Sequence, residues 1–534
     1  MSEQTLYRLA DSTAVEALVD GWVAWPHTFS PVVYCLHQLN YQKKTLASYI
    51  QNPAMHVKSS SNPKLLGGAF VNIPIERSND IQKMLERLEI DHQGDLTFAQ
   101  ALIDFQNLLD KEANGHTLND YYAKLPECLR GYVELLYDYN SRPIVRCIEN
   151  LLYRSNHYKK HLQSLHFFTQ SHDRMRAYYM STPRLPEQNT IEWHIPFDNS
   201  AIDELFKLDN RPHPLEYIRE LLGLGVNDDK KLLTLLTDQL PKQSNVWQGK
   251  GFRVRYYGHA SALVEFNGKT ILIDPFLSVV PSEGGIERFT FQDLPPKIDY
   301  VLITHGHHDH FVFETLLRIR HKTGCLVVPK SSGIFYADFS LRLMANALGF
   351  NNVVEVEPLD MIAFDGGEIV AIPFLGEHND LPFAKTGWLI QAGEKQVLFA
   401  ADSNCLDKRM YENICAQRGP IDVVFLGMEC IGAPLSWVYG PLLPKLPGYK
   451  ECQSRRSNGS DSVGAMNLLD AVQSKQVYVY AIGREPWLQY FMALEPEEDD
   501  TYIQEINKLL AACKSKSFID ARRLYGKDEI FIDG

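Results

Sequence analysis

Two hydrophobic textures follow one another along the chain. From residue 1 to about 248, apolar positions recur at helical spacing between irregular Pro- and Gly-containing segments, with no repeat and no low-complexity tract. Residues 102–109 and 216–236 read as amphipathic helices whose Leu, Ile and Phe spacing points to core packing. Residues 240–251 then break the periodicity with Pro241, Gly249 and Gly251, which puts a domain boundary between 1–248 and 249–534. Beyond it, short β-branched and aromatic runs predict strands at 252–257, 262–266, 270–274, 300–304, 325–329, 353–356, 368–374, 388–392, 396–400 and 423–426. Asn267-Gly268 marks a tight hairpin turn, and helices are expected at 311–320 and 339–347. Hairpins interleaved with helices fit a layered α/β sandwich, preceded by a separate α+β N-terminal domain, better than a doubly wound parallel sheet. Neither a Gly-x-Gly-x-x-Gly turn nor a Walker loop occurs.

Composition supports two domains, because single cores stop growing at about 250 to 300 residues and this chain has 534. A hydrophobic content of 45% with 22% charged residues describes a soluble globular protein. The first residues carry no basic stretch, and no run approaches ~18 apolar residues, so neither a signal peptide nor a membrane span is expected. Nine scattered cysteines without a Cys-x-x-Cys pair suggest a reducing, cytoplasmic setting. The net charge of -13 argues against nucleic acid as a partner.

Candidate chemistry is concentrated after the strand expected at 300–304. Residues 304–310 read Thr-His-Gly-His-His-Asp-His, a His-x-His-x-Asp-His signature. A tight loop leaving the strand can aim His305 and His307 at one metal ion and Asp309 and His310 at a second. Imidazoles suit Zn, Fe or Ni, and the carboxylate supplies charge that two close dications need. A merely polar surface loop is the bland alternative, but only 18 histidines occur in the chain and four fall here. His308 is expected beside the ligands rather than among them. A bridging anion should come from a neighbouring strand end, where Asp402 follows an apolar run; Asp402 could instead cap a helix. The loop after 368–374 reads Phe-Leu-Gly-Glu-His-Asn-Asp, so Glu377 and His378 both qualify as a further ligand. No histidine follows His378. The second ion is therefore left with oxygen donors, which favours iron and dioxygen chemistry over a zinc-bound hydroxide. A dinuclear zinc hydrolase acting on an ester, lactone or phosphodiester is the alternative.

With these residues in hand, the whole chain resembles the di-iron β-hydroxylase family typified by the enzyme of chloramphenicol biosynthesis, whose catalytic half has the metallo-β-lactamase αββα fold. The resemblance rests on Tyr-Gly-His-Ala-Ser at 257–261, Ile-Asp-Pro-Phe at 273–276, the 304–310 loop, Gly-Glu-His at 376–378 and Ala-Asp-Ser at 401–403. In the N-terminal half it rests on Leu-Ala-Asp-Ser-Thr at 9–13, Gly-Trp-Val-Ala-Trp at 21–25 and Pro-Lys-Leu-Leu-Gly-Gly-Ala-Phe-Val at 63–71. It implies that His305, His307, Asp309, His310, Glu377 and Asp402 hold two iron ions, with Asp402 bridging and Glu377 and Asp402 closest to the reaction. It further implies O2 as co-substrate and an amino acid carried on a nonribosomal peptide synthetase carrier domain, oxidised at its β-carbon. Electrons would come from a separate donor protein, and the N-terminal domain would serve dimerisation and partner docking. At the level of the fold alone, His259 would lie near the metals or be structural, and Trp437, Tyr439 and Trp487 would wall the pocket.

Overall fold

The computed structural model describes residues 5–242, 244, 246–376, 383–493 and 497–533. Its C-terminal half is built on two seven-stranded sheets. In the first, Asp528–Ile532, Phe252–Gly258, Ser261–Phe266 and Lys269–Ile273 pair antiparallel, and Ile298–Leu302, Thr323–Pro329 and Val353–Val356 continue in parallel. The second repeats that plan, with Met361–Phe364, Gly367–Ile372, Gly387–Ala392 and Lys395–Phe399 antiparallel, then Val423–Gly427, Gln476–Tyr480 and Asp520–Arg523 parallel. Asn267 and Gly268 both take left-handed φ (44° and 76°), the backbone that a two-residue hairpin requires.

Alternation along each strand divides its apolar residues between two faces. Val254, Val264, Ile271 and Leu302 from one sheet meet Ile390, Val397, Phe399 and Phe425 from the other in a single buried layer. On the far side of the second sheet, Val370, Leu398 and Val424 pack under the helices Lys408–Arg418, Ser462–Val472 and Thr501–Ser515. On the far side of the first, Leu263, Leu272, Val301 and Leu326 share one continuous core with the helix Phe313–Ile319 and with Val15, Leu18, Phe29 and Phe206 of the N-terminal half. This is the αββα order, with the α+β N-terminal domain stacked on one helical layer. That domain contains a four-stranded antiparallel sheet (Trp22–Val23, Thr13–Val19, Gln163–Thr169, Ile191–His194) and the long helices Ser78–Asp91 and Gln93–Glu112.

Buried ion pairs fasten the two halves. Arg176 grips both carboxylate oxygens of Glu314 (3.0 and 2.5 Å) and also Glu16 (2.9 Å), which Arg184 holds as well (2.7 Å). Burial alone would raise the Glu16 carboxyl, but Arg184 and Arg176 outweigh it and hold it far below the usual carboxylate range. Arg318 pairs with Asp209 (2.8 Å) and Arg288 with Asp173 (2.6 Å) in the same manner.

The strands and helices expected in the C-terminal half are present with ends shifted by no more than two residues. The clearest departure lies at 216–236, expected as one helix. Leu215–Leu221 ends where Gly223 turns left-handed (φ 66°) and Leu224 N–H donates to Arg219 O at 3.0 Å. The chain restarts as Asp229–Thr234, and Leu236–Thr237 joins a sheet edge against Leu6–Leu9. Among the described residues, no helix is long and apolar enough to cross a membrane.

Candidate metal centre

The site forms at one edge of the sandwich, where strands end abruptly. Four non-glycine residues that directly follow a strand, or lie within two residues of its end, take left-handed backbone there: His259 (φ 50°), Asp274 (φ 38°), Ala401 (φ 47°) and Ala481 (φ 52°). Such a conformation costs about 1–3 kcal/mol per residue and persists only where surrounding contacts impose it. Each one stops its ladder and swings the following residues across the edge, and Ala481 N–H donates to His259 O at 2.9 Å.

Asp274 organises the metal loop from beneath. Its Oδ1 accepts Thr304 N–H at 2.7 Å and its Oδ2 accepts the Thr304 hydroxyl at 2.6 Å. Oδ2 also lies 2.8 Å from His310 Nδ1, and Thr304 Oγ1 lies 3.0 Å from His305 Nδ1. With their Nδ1 atoms engaged, His305 and His310 present Nε2 inward, where Asp402 Oδ2 stands 3.7 Å from the first and 3.1 Å from the second. His307 is oriented the other way, its Nε2 lying 3.1 Å from the Tyr439 hydroxyl. Outer hydrogen bonds of this kind fix the tautomer and direction of metal-binding imidazoles.

Five of the expected ligands are thus brought to one place. The donor atoms of His305, His310 and Asp402 lie within 4.8 Å of one another, as do those of His259, Asp309 and His310. Glu377 and His378 lie outside the described residues. Their neighbours are anchored at the site: Gly376 pairs with Ser403, Asn404 N–H donates to Leu375 O at 2.6 Å, and Lys385 pairs with His305. A Cβ at Gly376 (φ 101°) would stand 2.9 Å from Asn458 O, so a side chain there would clash.

Electrostatics match a pair of cations. Burial, then His310 and His307, holds the His305 imidazole well below its usual range, so it is neutral and ready to donate a lone pair. Burial opposes charge on His310 as well, but Asp402, Asp309 and Asp274 outweigh it and raise that imidazole well above its usual range. Proton and metal would answer the same excess of negative charge. The Asp309 and Asp402 carboxyls are both lowered, against burial, chiefly by His310. Glu429, on the loop after Val423–Gly427, is pushed up to about 8 by burial, then by Asp402 and Asp309. Imidazoles with fixed outer nitrogens and several carboxylates are an appropriate donor set for two iron ions.

A cleft opens to solvent beside these groups. His307, Asp309, Asp402 and Glu429 line its polar side, and Tyr178, Trp437 and Phe491 its apolar side. Trp437 and Tyr439 border the centre as expected. Trp487 does not line this cavity: it packs on Arg288 (4.2 Å) and fills the space above Gly258, where a Cβ would fall 2.6 Å from its ring. His259 is at the centre, its Nε2 2.8 Å from Asp309 Oδ2. His308 is a wall residue between Tyr179 (5.4 Å) and Phe491 (5.5 Å). The N-terminal contribution of Trp25, Tyr178 and Tyr179 was not foreseen, nor was the role of Asp274, although Ile-Asp-Pro-Phe stands out in the sequence.

The αββα sandwich and the His/Asp cluster at its strand ends define a metalloenzyme of the metallo-β-lactamase superfamily. A family model for the N-terminal domain of di-iron non-haem β-hydroxylases matches residues 8–240, and one for the β-lactamase superfamily domain matches residues 269–442. The 4-amino-L-phenylalanyl-[CmlP-peptidyl-carrier-protein] 3-hydroxylase of Streptomyces venezuelae is 34% identical over 521 residues, 96% of this chain and 97% of that protein. The crystal structure of CmlA, a di-iron β-hydroxylase from the same organism, is similar with a TM-score of 0.90 and 32% identity, covering 99% of this chain and 100% of that one. A metal-dependent hydrolase of Shouchella clausii is 30% identical over 185 residues, covering 33% of this chain and 72% of that protein. The chain belongs to the di-iron non-haem β-hydroxylase family. It is a monooxygenase whose cofactor is a pair of iron ions and whose co-substrate is O2.

Proposed function

We propose that the enzyme hydroxylates the β-carbon of an amino acid tethered to a carrier domain of a nonribosomal peptide synthetase. The observation that carries this reading is the His305, His310 and Asp402 cluster, set beside a half-apolar cavity in a chain similar from end to end to a carrier-dependent hydroxylase. The hydrolase relative aligns with about a third of the chain and leaves the N-terminal domain without a counterpart.

His305, His307, Asp309, His310, Glu377 and Asp402 would hold the two irons, with Asp402 placed between His305 and His310. When bound and reduced, the ions supply the O2-derived oxidant for an unactivated C–H bond. The chain's own residues orient and shield. Asp274 and Thr304 fix His305 and His310, and Tyr439 fixes His307. His259 holds one oxygen of Asp309. Trp25, Tyr179 and Phe491 close around His308 and keep bulk water from that side. Electrons would come from a separate protein. Residues 1–248 would form the dimerisation and carrier-docking domain, residues 249–534 the oxygenase domain, and the enzyme would work in the cytoplasm as a homodimer.

Purified enzyme, analysed for metal and incubated after reduction with aminoacyl-loaded carrier domains under O2, should hold two irons per chain. It should add one oxygen atom at the β-carbon of a tethered residue. Full activity as a zinc protein, or product formed only from free amino acids, would refute the reading.

A further inference from the structure

Glu429 has no part among the six side chains assigned to the metals. It leaves the strand Val423–Gly427, which runs parallel to Lys395–Phe399 with Phe425 opposite Phe399. Gly427 N–H donates to Ala401 O at 2.8 Å, so the pairing carries Asp402 and Glu429 out of the same sheet edge. Two glycines clear a place for it. A Cβ at Gly432 would stand 3.1 Å from Glu429 Oε2, and one at Gly459 would stand 3.1 Å from the Glu429 carbonyl oxygen. Gly459 N–H also donates to that oxygen at 2.9 Å, which fixes the backbone. The carboxylate itself accepts no hydrogen bond and forms no ion pair among the described residues. Arg456 acts on it only at a distance, with its Nη1 bonded to Gln453 Oε1 at 2.6 Å. A half-buried carboxylate without a cation, lining a cavity whose other wall is aromatic, needs a positive group from outside.

We infer that Glu429 receives the α-ammonium of the aminoacyl group, while Tyr178, Trp437 and Phe491 take its large apolar or aromatic side chain. This inference rests on the tethered amino acid proposed above. An aminoacyl thioester offers one cation, on the carbon next to the one oxidised. With Asp309 and Asp402 assigned to the metals, Glu429 is, among the described residues lining this cavity, the carboxylate available to that cation. An ammonium held there by charge-assisted hydrogen bonds of about 2.7–2.9 Å, with the side chain against the aromatic wall, leaves the β-carbon facing the metal side of the cavity. Acylation of the nitrogen removes the charge and the preference with it.

Calorimetric titration of the di-iron enzyme with the pantetheine thioester of L-phenylalanine, and with its N-acetyl derivative, tests this without turnover. The wild-type protein should bind the free amine about 30-fold or more tightly than the acetylated form. Glu429→Gln should lose that preference while keeping two irons per chain and its affinity for the acetylated compound, and Glu429→Asp should recover part of it. A wild-type enzyme indifferent to acetylation, a Glu429→Gln variant that still prefers the amine, or iron lost from Glu429→Gln would each overturn the assignment. Should the wild type show the preference yet hydroxylate no loaded carrier, Glu429 keeps this role and the proposed reaction falls; hydroxylation without the preference gives the converse.

Discussion

Two clusters of buried charge lie one helix apart, and they are balanced in opposite ways. At the seam between the halves, Glu16, Glu314, Asp209 and Asp173 each face an arginine of the same chain. At the strand-end site, Asp274, Asp309 and Asp402 face imidazoles, and the excess of negative charge raises His310 rather than being cancelled. The first cluster is complete as a folded polypeptide, whereas the second is completed by cations the polypeptide does not contain. A buried carboxylate is therefore informative according to what neutralises it.

The sharpest break in this comparison is at the segment outside the described residues. Glu377→Ala should abolish hydroxylation, whereas His378→Ala should retain both irons; equal metal loss in the two variants, measured by iron analysis, would show the ligand to be wrongly chosen. At the seam, Arg176→Ala leaves Glu314 without its cation and Glu16 with Arg184 alone, and should destabilise the protein by about 3–5 kcal/mol in denaturant titrations, with iron per folded chain unchanged. The pH dependence follows from Glu16, whose folded value lies far below the ordinary 4.5. Its contribution is present above pH 4.5 and is lost as pH falls toward the folded value, so Arg184→Ala, which removes the larger of its two charge partners, should flatten the acid slope of stability below pH 5, and Arg176→Ala should flatten it less. Asp274→Asn removes the support of two imidazoles and should weaken iron binding about 10–100-fold in chelator competition, leaving unfolding of the metal-free protein little changed. Tyr439→Phe removes one hydrogen bond to His307 and should cost no more than about tenfold in the same assay.

How much of this could be read along the chain depends on how local each feature is. The 304–310 loop was legible because its candidate ligands fall within six residues and follow an apolar strand. Asp402 was legible because a carboxylate ending the run Val-Leu-Phe-Ala-Ala has no packing reason to be there. Asp274 sits in an equally conspicuous position, yet its task depends on Thr304 and His310, which only the parallel pairing of Lys269–Ile273 with Ile298–Leu302 brings alongside. The break in 216–236 turns on a left-handed Gly223 and a sheet edge supplied by residues more than 200 positions earlier. Trp487 illustrates the reverse error, since proximity to a site in related folds did not decide which way an indole faces. Met361–Phe364, Gln476–Tyr480, Asp520–Arg523 and Asp528–Ile532 were missed as strands; Met361–Phe364 and Asp520–Arg523 pack only partly into the core, whereas Gln476–Tyr480 is almost wholly buried and gains its place from parallel pairing on both sides.

Arg176 spans Glu16, on a strand of the N-terminal sheet, and Glu314, in the first turn of the helix that leaves the metal loop. A tilt of the N-terminal domain would thus bear on the helix that follows the metal loop at two guanidinium groups, Arg176 and Arg318.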